Sequence, residues 1–308
     1  MGYSPDPDTE LYRVLLKRGE FIDDARAGRA VPYKIYYPVL EPAEKVPLII
    51  WSHGFGGNRD GASFISRYLA SQGYVVAHLS HHGTDSTLWE GKPGHPWDIL
   101  RKVEIPRSAT LDRMHDVPFF VEALKAWAAN TPEIGAITDF DIIGMSGHSF
   151  GAMTTQVMAG MLIPSEQGEL SAMAQPFFKA GILYSPVPIP HLTESRADEL
   201  RAYGEITMPL LHMTGTEDAS PLQEFGYKER LSISENSPKA ESYVHVLDGG
   251  DHMIYNGTRG KLKDNPLRGG HEAEIKITAL AFWDYYLKGN DAARAVLLAN
   301  TSHQAKKG

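Results

Sequence analysis

Phe140-Asp141-Ile142-Ile143-Gly144-Met145, followed after Ser146 by Gly147-His148-Ser149-Phe150-Gly151, is the stretch that decides the fold. The apolar run reads as a strand, and Ala152-Met153-Thr154-Thr155-Gln156-Val157-Met158 reads as the helix that leaves it. Between them stands a G-x-S-x-G pattern. Such a turn holds a serine hydroxyl out at the top of a sheet, and small flanking residues let strand and helix pack closely. A plain Gly-Ser turn joining strand to helix is the competing reading. It does not account for the residues that accompany the serine further along.

A serine hydroxyl is a poor nucleophile at neutral pH until an imidazole takes its proton. The imidazole in turn needs a carboxylate on its other nitrogen, which fixes the tautomer and steadies the imidazolium. Both partners follow in the chain. Met208-Pro209-Leu210-Leu211-His212-Met213 reads as a strand, with Thr214-Gly215-Thr216-Glu217-Asp218-Ala219-Ser220-Pro221 as the loop after it. Ser242-Tyr243-Val244-His245-Val246-Leu247 reads as the last strand, and Asp248-Gly249-Gly250-Asp251-His252-Met253 as its loop. Ser149, Asp218 and His252 thus follow in the chain order of nucleophile, acid and base that such an elbow serves. Glu217 and Asp251 are rival acids. The G-T-x-D placement favours Asp218, and neighbours on one loop, such as Asp251 and His252, rarely orient each other's rings.

Val46-Pro47-Leu48-Ile49-Ile50-Trp51-Ser52 is a strand of buried type, running into His53-Gly54-Phe55-Gly56-Gly57-Asn58. A glycine-rich loop there turns a backbone N–H towards a reacting carbonyl, and the residue after the nucleophile supplies a second. Phe55 and Phe150 are therefore the expected oxyanion donors, through their main chains. Tight-turn geometry with positive φ is the alternative reading of the glycines, and the two are compatible. With thirteen histidines in the chain, a histidine near a serine carries little weight alone. His245 alternates with apolar neighbours and reads as a packed sheet residue. His53 and His148 flank the site and are expected to shape the pocket, His148 as a substrate contact. His81 and His82 are expected at the mouth. No compact ligand set of known spacing accompanies them, so no metal is expected.

With 308 residues the chain has room for one large α/β domain or two small ones. Its apolar share of 42% and charged share of 22% are those of an ordinary globular protein. The net charge of -8, with basic residues scattered, argues against a nucleic-acid partner. No apolar run is long enough to span a bilayer. The N-terminus has no basic segment followed by an apolar one, so a cytoplasmic location is expected. A leader removed beforehand would leave the same N-terminus. The chain has no cysteine, which mildly favours a reducing compartment and removes every cysteine-nucleophile mechanism.

Three segments are expected: an irregular N-terminal arm over 1–30, a main domain over 31–290 and a tail over 291–308. Val31 to Pro38 reads as an edge strand, since proline at its ends is tolerated there. Helices are expected from Ala62 to Gly73, from Ala109 to Ala128 and, last in the chain, from Glu272 to Leu287. Pro118 marks a kink or a late start in the second. Strands Tyr74 to Leu79 and Ala180 to Ser185 complete the alternation. It implies a mostly parallel sheet covered on both faces, with ligands at the carboxyl ends of the strands. Two long connections, Gly83 to Pro106 and Pro186 to Thr207, rise on that face. The first carries Trp89 and Trp97, expected as apolar walls of a substrate pocket.

These residues together resemble the α/β-hydrolase superfamily. The carriers are His53-Gly54-Phe55-Gly56-Gly57-Asn58-Arg59-Asp60, Gly147-His148-Ser149-Phe150-Gly151, Thr214-Gly215-Thr216-Glu217-Asp218 and Gly250-Asp251-His252. The chain looks most like the branch joining platelet-activating-factor acetylhydrolase-like esterases, dienelactone-hydrolase-like proteins, chlorophyllases and bacterial polyester hydrolases. Dienelactone hydrolases use a cysteine nucleophile, which this chain lacks. Secreted polyester hydrolases usually have a signal peptide and often a disulfide, and both are missing here. The resemblance implies an α/β-hydrolase fold with small loop insertions rather than a large cap. It also implies a serine esterase acting on small or medium esters, short-acyl or aromatic, without a cofactor. An amidase or peptidase on the same scaffold has the same triad, and a non-catalytic binding protein of this fold would usually lose one of its members.

Overall fold

Val46–Ser52 (β3) is buried at every residue, the pattern of a parallel strand covered on both faces. Its side chains alternate between two apolar layers: Leu48 and Ile50 join one, Ile49 and Trp51 the other. A computed structural model describes residues 2–165, 167–189, 195–257 and 265–306 around this strand. Pro190 and His191 of the second long connection lie outside the described residues.

Before β3 come β1 (Val14–Asp23) and β2 (Arg29–Pro38); after it come α1 (Ser63–Ser71), β4 (Val75–Leu79) and α2 (Pro96–Leu100). Next are α3 (Arg107–Ala128), α4 (Pro132–Gly135), β5 (Thr138–His148) and α5 (Phe150–Met158). A small hairpin of β6 (Ile163–Pro164) and β7 (Leu170–Ser171) leads to β8 (Phe178–Tyr184), α6 (Arg196–Gly204) and β9 (Leu210–Glu217). The chain closes with α7 (Tyr227–Glu235), β10 (Ser242–Asp251), α8 (Arg268–Lys288), α9 (Asp291–Asn300) and β11 (Ser302–Gln304). The nine-stranded sheet has the order β1-β2-β4-β3-β5-β8-β9-β10-β11. From β4 to β10 all pairings are parallel, and β1, β2 and β11 join antiparallel. Met114, Val117 and Phe120 of α3 and Val157 of α5 cover one face. Ile65 and Leu69 of α1 and Trp283 of α8 cover the other. Among the described residues no helix is long and apolar enough to cross a membrane.

Several sequence expectations need correction. The arm over 1–30 is not irregular, because Val14–Asp23 pairs with β2 along its whole length. Adjacent Leu15 and Leu16, both exposed, hide the alternation of that strand. β2 is consequently internal, not an edge. Its prolines sit near its ends, and Pro32 still offers its carbonyl to the Ser80 N–H at 2.8 Å. α3 starts at Arg107 and runs through Pro118, so that proline marks no late start. α8 is not the last element: α9 follows, and β11 pairs with β10 inside the main sheet.

Parallel strands bring their carboxyl ends to one rim. The loops after β3, β4, β5, β9 and β10 therefore converge, and they carry Phe55, the tryptophan segment, Ser149, Asp218 and His252.

Candidate active site

Ser149 stands between β5 and α5 with φ 55° and ψ -116°. A non-glycine residue held there costs about 1–3 kcal/mol and persists only where its surroundings over-determine it. They do so here. A Cβ on Gly151 would lie 1.9 Å from the Ser52 carbonyl oxygen, and one on Gly147 would lie 2.3 Å from the Gly151 carbonyl oxygen. Only glycine on both sides lets the turn press against the end of β3, and the Ser149 N–H is tied to the Tyr184 carbonyl at 2.9 Å. The side chain, half-buried, is left facing the rim.

The structure brings Ser149, His252 and Asp218 together. His252 Nε2 lies 3.1 Å from Ser149 Oγ, and His252 Nδ1 lies 2.7 Å from Asp218 Oδ1. With Nδ1–H donating to the carboxylate, Nε2 is free to accept the serine proton. Thr214 Oγ1 donates to the second oxygen of Asp218 at 2.8 Å. Burial alone would raise this carboxyl, but the Arg230 guanidinium and the His252 ring outweigh it and hold it at about 2. Neither rival acid reaches the ring: Glu217 is exposed, while Asp251 accepts from the Met253 N–H and from Asn265.

Among the described residues, neither the Phe55 nor the Phe150 N–H enters a loop or cap hydrogen bond. Their neighbours are committed: Gly56 N–H to Thr84 O at 2.9 Å and Gly57 N–H to Gly54 O at 3.0 Å. The Phe55 and Phe150 rings lie edge-on with their centres 6.4 Å apart, and both residues line one cavity with Ser149. Phe150 also opens α5, whose positive end favours developing negative charge.

Two cavities open on Ser149. One, of about 340 Å³, is lined by Phe150, Met153, Val187 and Phe225. The other, of about 410 Å³, is lined by His252, His148, Trp89 and Trp97. Both expected tryptophans therefore share a cavity with the serine, and Trp89 Nε1 is fixed on the Gly56 carbonyl at 2.7 Å. His148 is buried, and burial pushes its ring down to about 3. Neutral, it donates from Nε2 to the His252 carbonyl at 2.8 Å, so it holds the base's loop as well as lining the cavity. His81 is not at the mouth. Fully buried, it bridges Ser52 Oγ at 2.9 Å and Asp116 Oδ2 at 3.0 Å, a serine–histidine–aspartate line that no substrate can reach. His245 is a packed sheet residue bonded to the Asn300 carbonyl at 2.6 Å.

Two buried arginines escape sequence reading. Arg230 of α7 reaches Asp218 Oδ1 at 3.0 Å, the Asp218 carbonyl at 3.1 Å and the Pro186 carbonyl at 2.8 Å. Arg113 of α3 donates to Thr154 of α5 at 2.7 Å, to Ser52 Oγ at 2.8 Å and to the His53 carbonyl. Its guanidinium also lies 4.5 Å from the centre of the Phe150 ring. It therefore ties the loop of one candidate oxyanion donor to the helix of the other. A lysine cannot reproduce such forked contacts. Arg230→Lys keeps the charge but frees the acid's loop, so kcat is expected to fall about 10²-fold with KM little changed. Steady-state kinetics on one ester checks this; a KM change with constant kcat would assign Arg230 to substrate binding instead.

Comparison with solved structures adds a second line. The chain superposes on Pyrococcus horikoshii acylaminoacyl peptidase with a TM-score of 0.60 at 15% identity, over 89% of its own length. This is the α/β-hydrolase fold. The chain spans 42% of that peptidase. A family model, platelet-activating factor acetylhydrolase isoform II, matches residues 28–90 of the chain. The matched stretch holds β2, β3, the Phe55 loop, β4 and Trp89, but none of Ser149, Asp218 or His252. The structural match shows the fold and the family model a likeness confined to residues 28–90, so the reaction is left to the chemistry of the site.

Proposed function

We propose that this chain is a serine carboxylic-ester hydrolase. The observation that carries the reading is the hydrogen-bonded line Ser149–His252–Asp218, set at the meeting of two cavities and beside the Phe55 and Phe150 amides, which enter no loop or cap hydrogen bond among the described residues. Ser149 Oγ attacks the ester carbonyl carbon while His252 Nε2 takes its proton. Asp218 steadies the imidazolium, and the Phe55 and Phe150 N–H groups donate to the carbonyl oxygen as negative charge develops on it. The C–O bond to the alcohol then breaks, and His252 returns the proton to the departing oxygen. In the second half water repeats the attack on the acyl-serine, giving the acid and free Ser149.

Cleavage of an amide would use the same groups, and the structural relative is named a peptidase. The ester reading is favoured by the walls. Most of their side chains are aromatic or aliphatic, and Ser149 follows the middle strand of nine, far from the sheet edges β1 and β11 where an extended peptide could add a strand. Matched para-nitrophenyl ester and para-nitroanilide substrates separate the two. Ester turnover is expected with the anilide at background; equal turnover of the anilide would make the enzyme an amidase.

A further inference from the structure

The two cavities over Ser149 meet at a septum. Leu100, at the end of α2, lines both, as do Pro221 and Leu222 from the loop after β9. Leu100 is buried and seated on Gly56, where φ is +70° and a Cβ would lie 2.6 Å from the leucine methyl. The Arg101 guanidinium reaches the Pro221 carbonyl at 3.4 Å, joining the two halves of the divide. A substrate must straddle this septum with its carbonyl carbon over Ser149.

Which half of the ester lies on which side follows from the proton path, and so rests on the esterase reading. The tetrahedral carbon carries Ser149 Oγ, the oxyanion, the leaving oxygen and the acyl chain. The leaving oxygen must face His252 Nε2, which protonates it, and His252 lines only the larger cavity. The oxyanion is spoken for by the Phe55 and Phe150 amides. The acyl chain is the substituent that remains, and it must run away from His252 into the smaller cavity.

We infer that the cleft is divided by function: the acyl group occupies the chamber of Ile105, Met153, Val187 and Phe225, and the alcohol the chamber of Trp89, Trp97, Asn58 and His252. The chemistry of each wall names the substrate class. The acyl chamber sets Val103, Ile105, Met153, Val187 and Phe225 beside a polar edge of Thr110, Ser220 and Gln223 and, at about 340 Å³, has the size of a small-molecule site in its own right. It suits an aliphatic acyl chain of medium length better than acetyl alone. The alcohol chamber offers two indole rings with amide and imidazole groups beside them, walls that suit a flat or aromatic alcohol bearing a polar substituent.

Two ester series test the assignment. One keeps para-nitrophenol and lengthens the acyl chain from acetate to octanoate; the other keeps acetate and enlarges the alcohol from methyl to benzyl to naphthyl. Ile105→Trp, which fills the acyl chamber, is expected to lower the octanoate-to-acetate ratio of kcat/KM at least about tenfold and to spare the ranking of alcohols. Trp97→Ala is expected to do the reverse, lowering the naphthyl-to-methyl ratio and sparing the ranking of acyl chains. Val103→Phe, on the same chamber as Ile105, serves if the first variant does not fold. The opposite pairing of variant and series, or both variants moving both series alike, overturns the assignment. Labelling of wild-type Ser149 by a fluorophosphonate marks where a failure lies. Labelled enzyme that turns over esters without the crossed pattern sinks only the chamber assignment, whereas unlabelled enzyme inert to every ester sinks the esterase reading and the assignment with it.

Discussion

Ser149→Ala is expected to lower kcat for a para-nitrophenyl ester by about five to six orders of magnitude, with the fold intact. The change removes one oxygen from a half-buried side chain, so little packing is lost. What disappears is the covalent route itself. The oxyanion amides and the two cavities remain, and they leave a residual rate about 10³–10⁴-fold above that in water. Asp218→Asn provides the graded comparison. It keeps the shape but can donate to His252 Nδ1, which favours the wrong tautomer, and it should cost about 10⁴-fold in kcat. Thermal melts and rates measured on the same preparations decide the matter. A folded Ser149→Ala protein that turns over esters at a near-normal rate would remove the nucleophile from Ser149.

The residues of this line were legible in the sequence because each sits in a short motif whose backbone must take one shape. Gly147 and Gly151 are needed where a Cβ would strike the neighbouring backbone, so the pentapeptide reports its own geometry. The strand ends also announce themselves, since buried parallel strands such as Val46–Ser52 read as unbroken apolar runs. Arg230 and Arg113 were not legible for the opposite reason. Arg230 stands in the polar run Tyr227-Lys228-Glu229-Arg230, which reads as a solvated face, and Arg113 adjoins the acidic Asp112 in a helix otherwise read by its apolar side. Each is buried only because distant loops supply its acceptors, a tertiary circumstance that no local pattern encodes. β1 was hidden in the same way. Its pairing with β2 supplies what its broken alternation does not.

The second large effect is on stability, and it comes from histidines rather than from the triad. His78, His81, His148 and His212 are buried, and burial holds each ring at about 3, far below the usual imidazole value. The unfolded chain takes up these protons below about pH 6.5, whereas the native state refuses them until about pH 3. Across that window the unfolded state binds more protons, so stability falls as pH falls. Each ring contributes about 1.4 kcal/mol per pH unit, and four together about 5 kcal/mol per unit, enough to exhaust a typical stability of about 5–15 kcal/mol within one to three units. Asp116 and Asp218, both held at about 2, act elsewhere: their contribution is intact above the ordinary aspartate value and is lost only as pH falls from there towards 2. Cooperative loss of the far-ultraviolet circular dichroism signal is therefore expected between about pH 6 and pH 4. His212 isolates the cause. In the buried β9, neither of its ring nitrogens has a hydrogen-bond partner among the described residues. His212→Leu should thus sacrifice no bond, raise stability at pH 5.5, and flatten the fall of urea-derived stability with pH by about 1.4 kcal/mol per unit. If wild type keeps its fold down to pH 3, or if His212→Leu leaves that slope unchanged, the buried rings are not what makes the protein acid-labile.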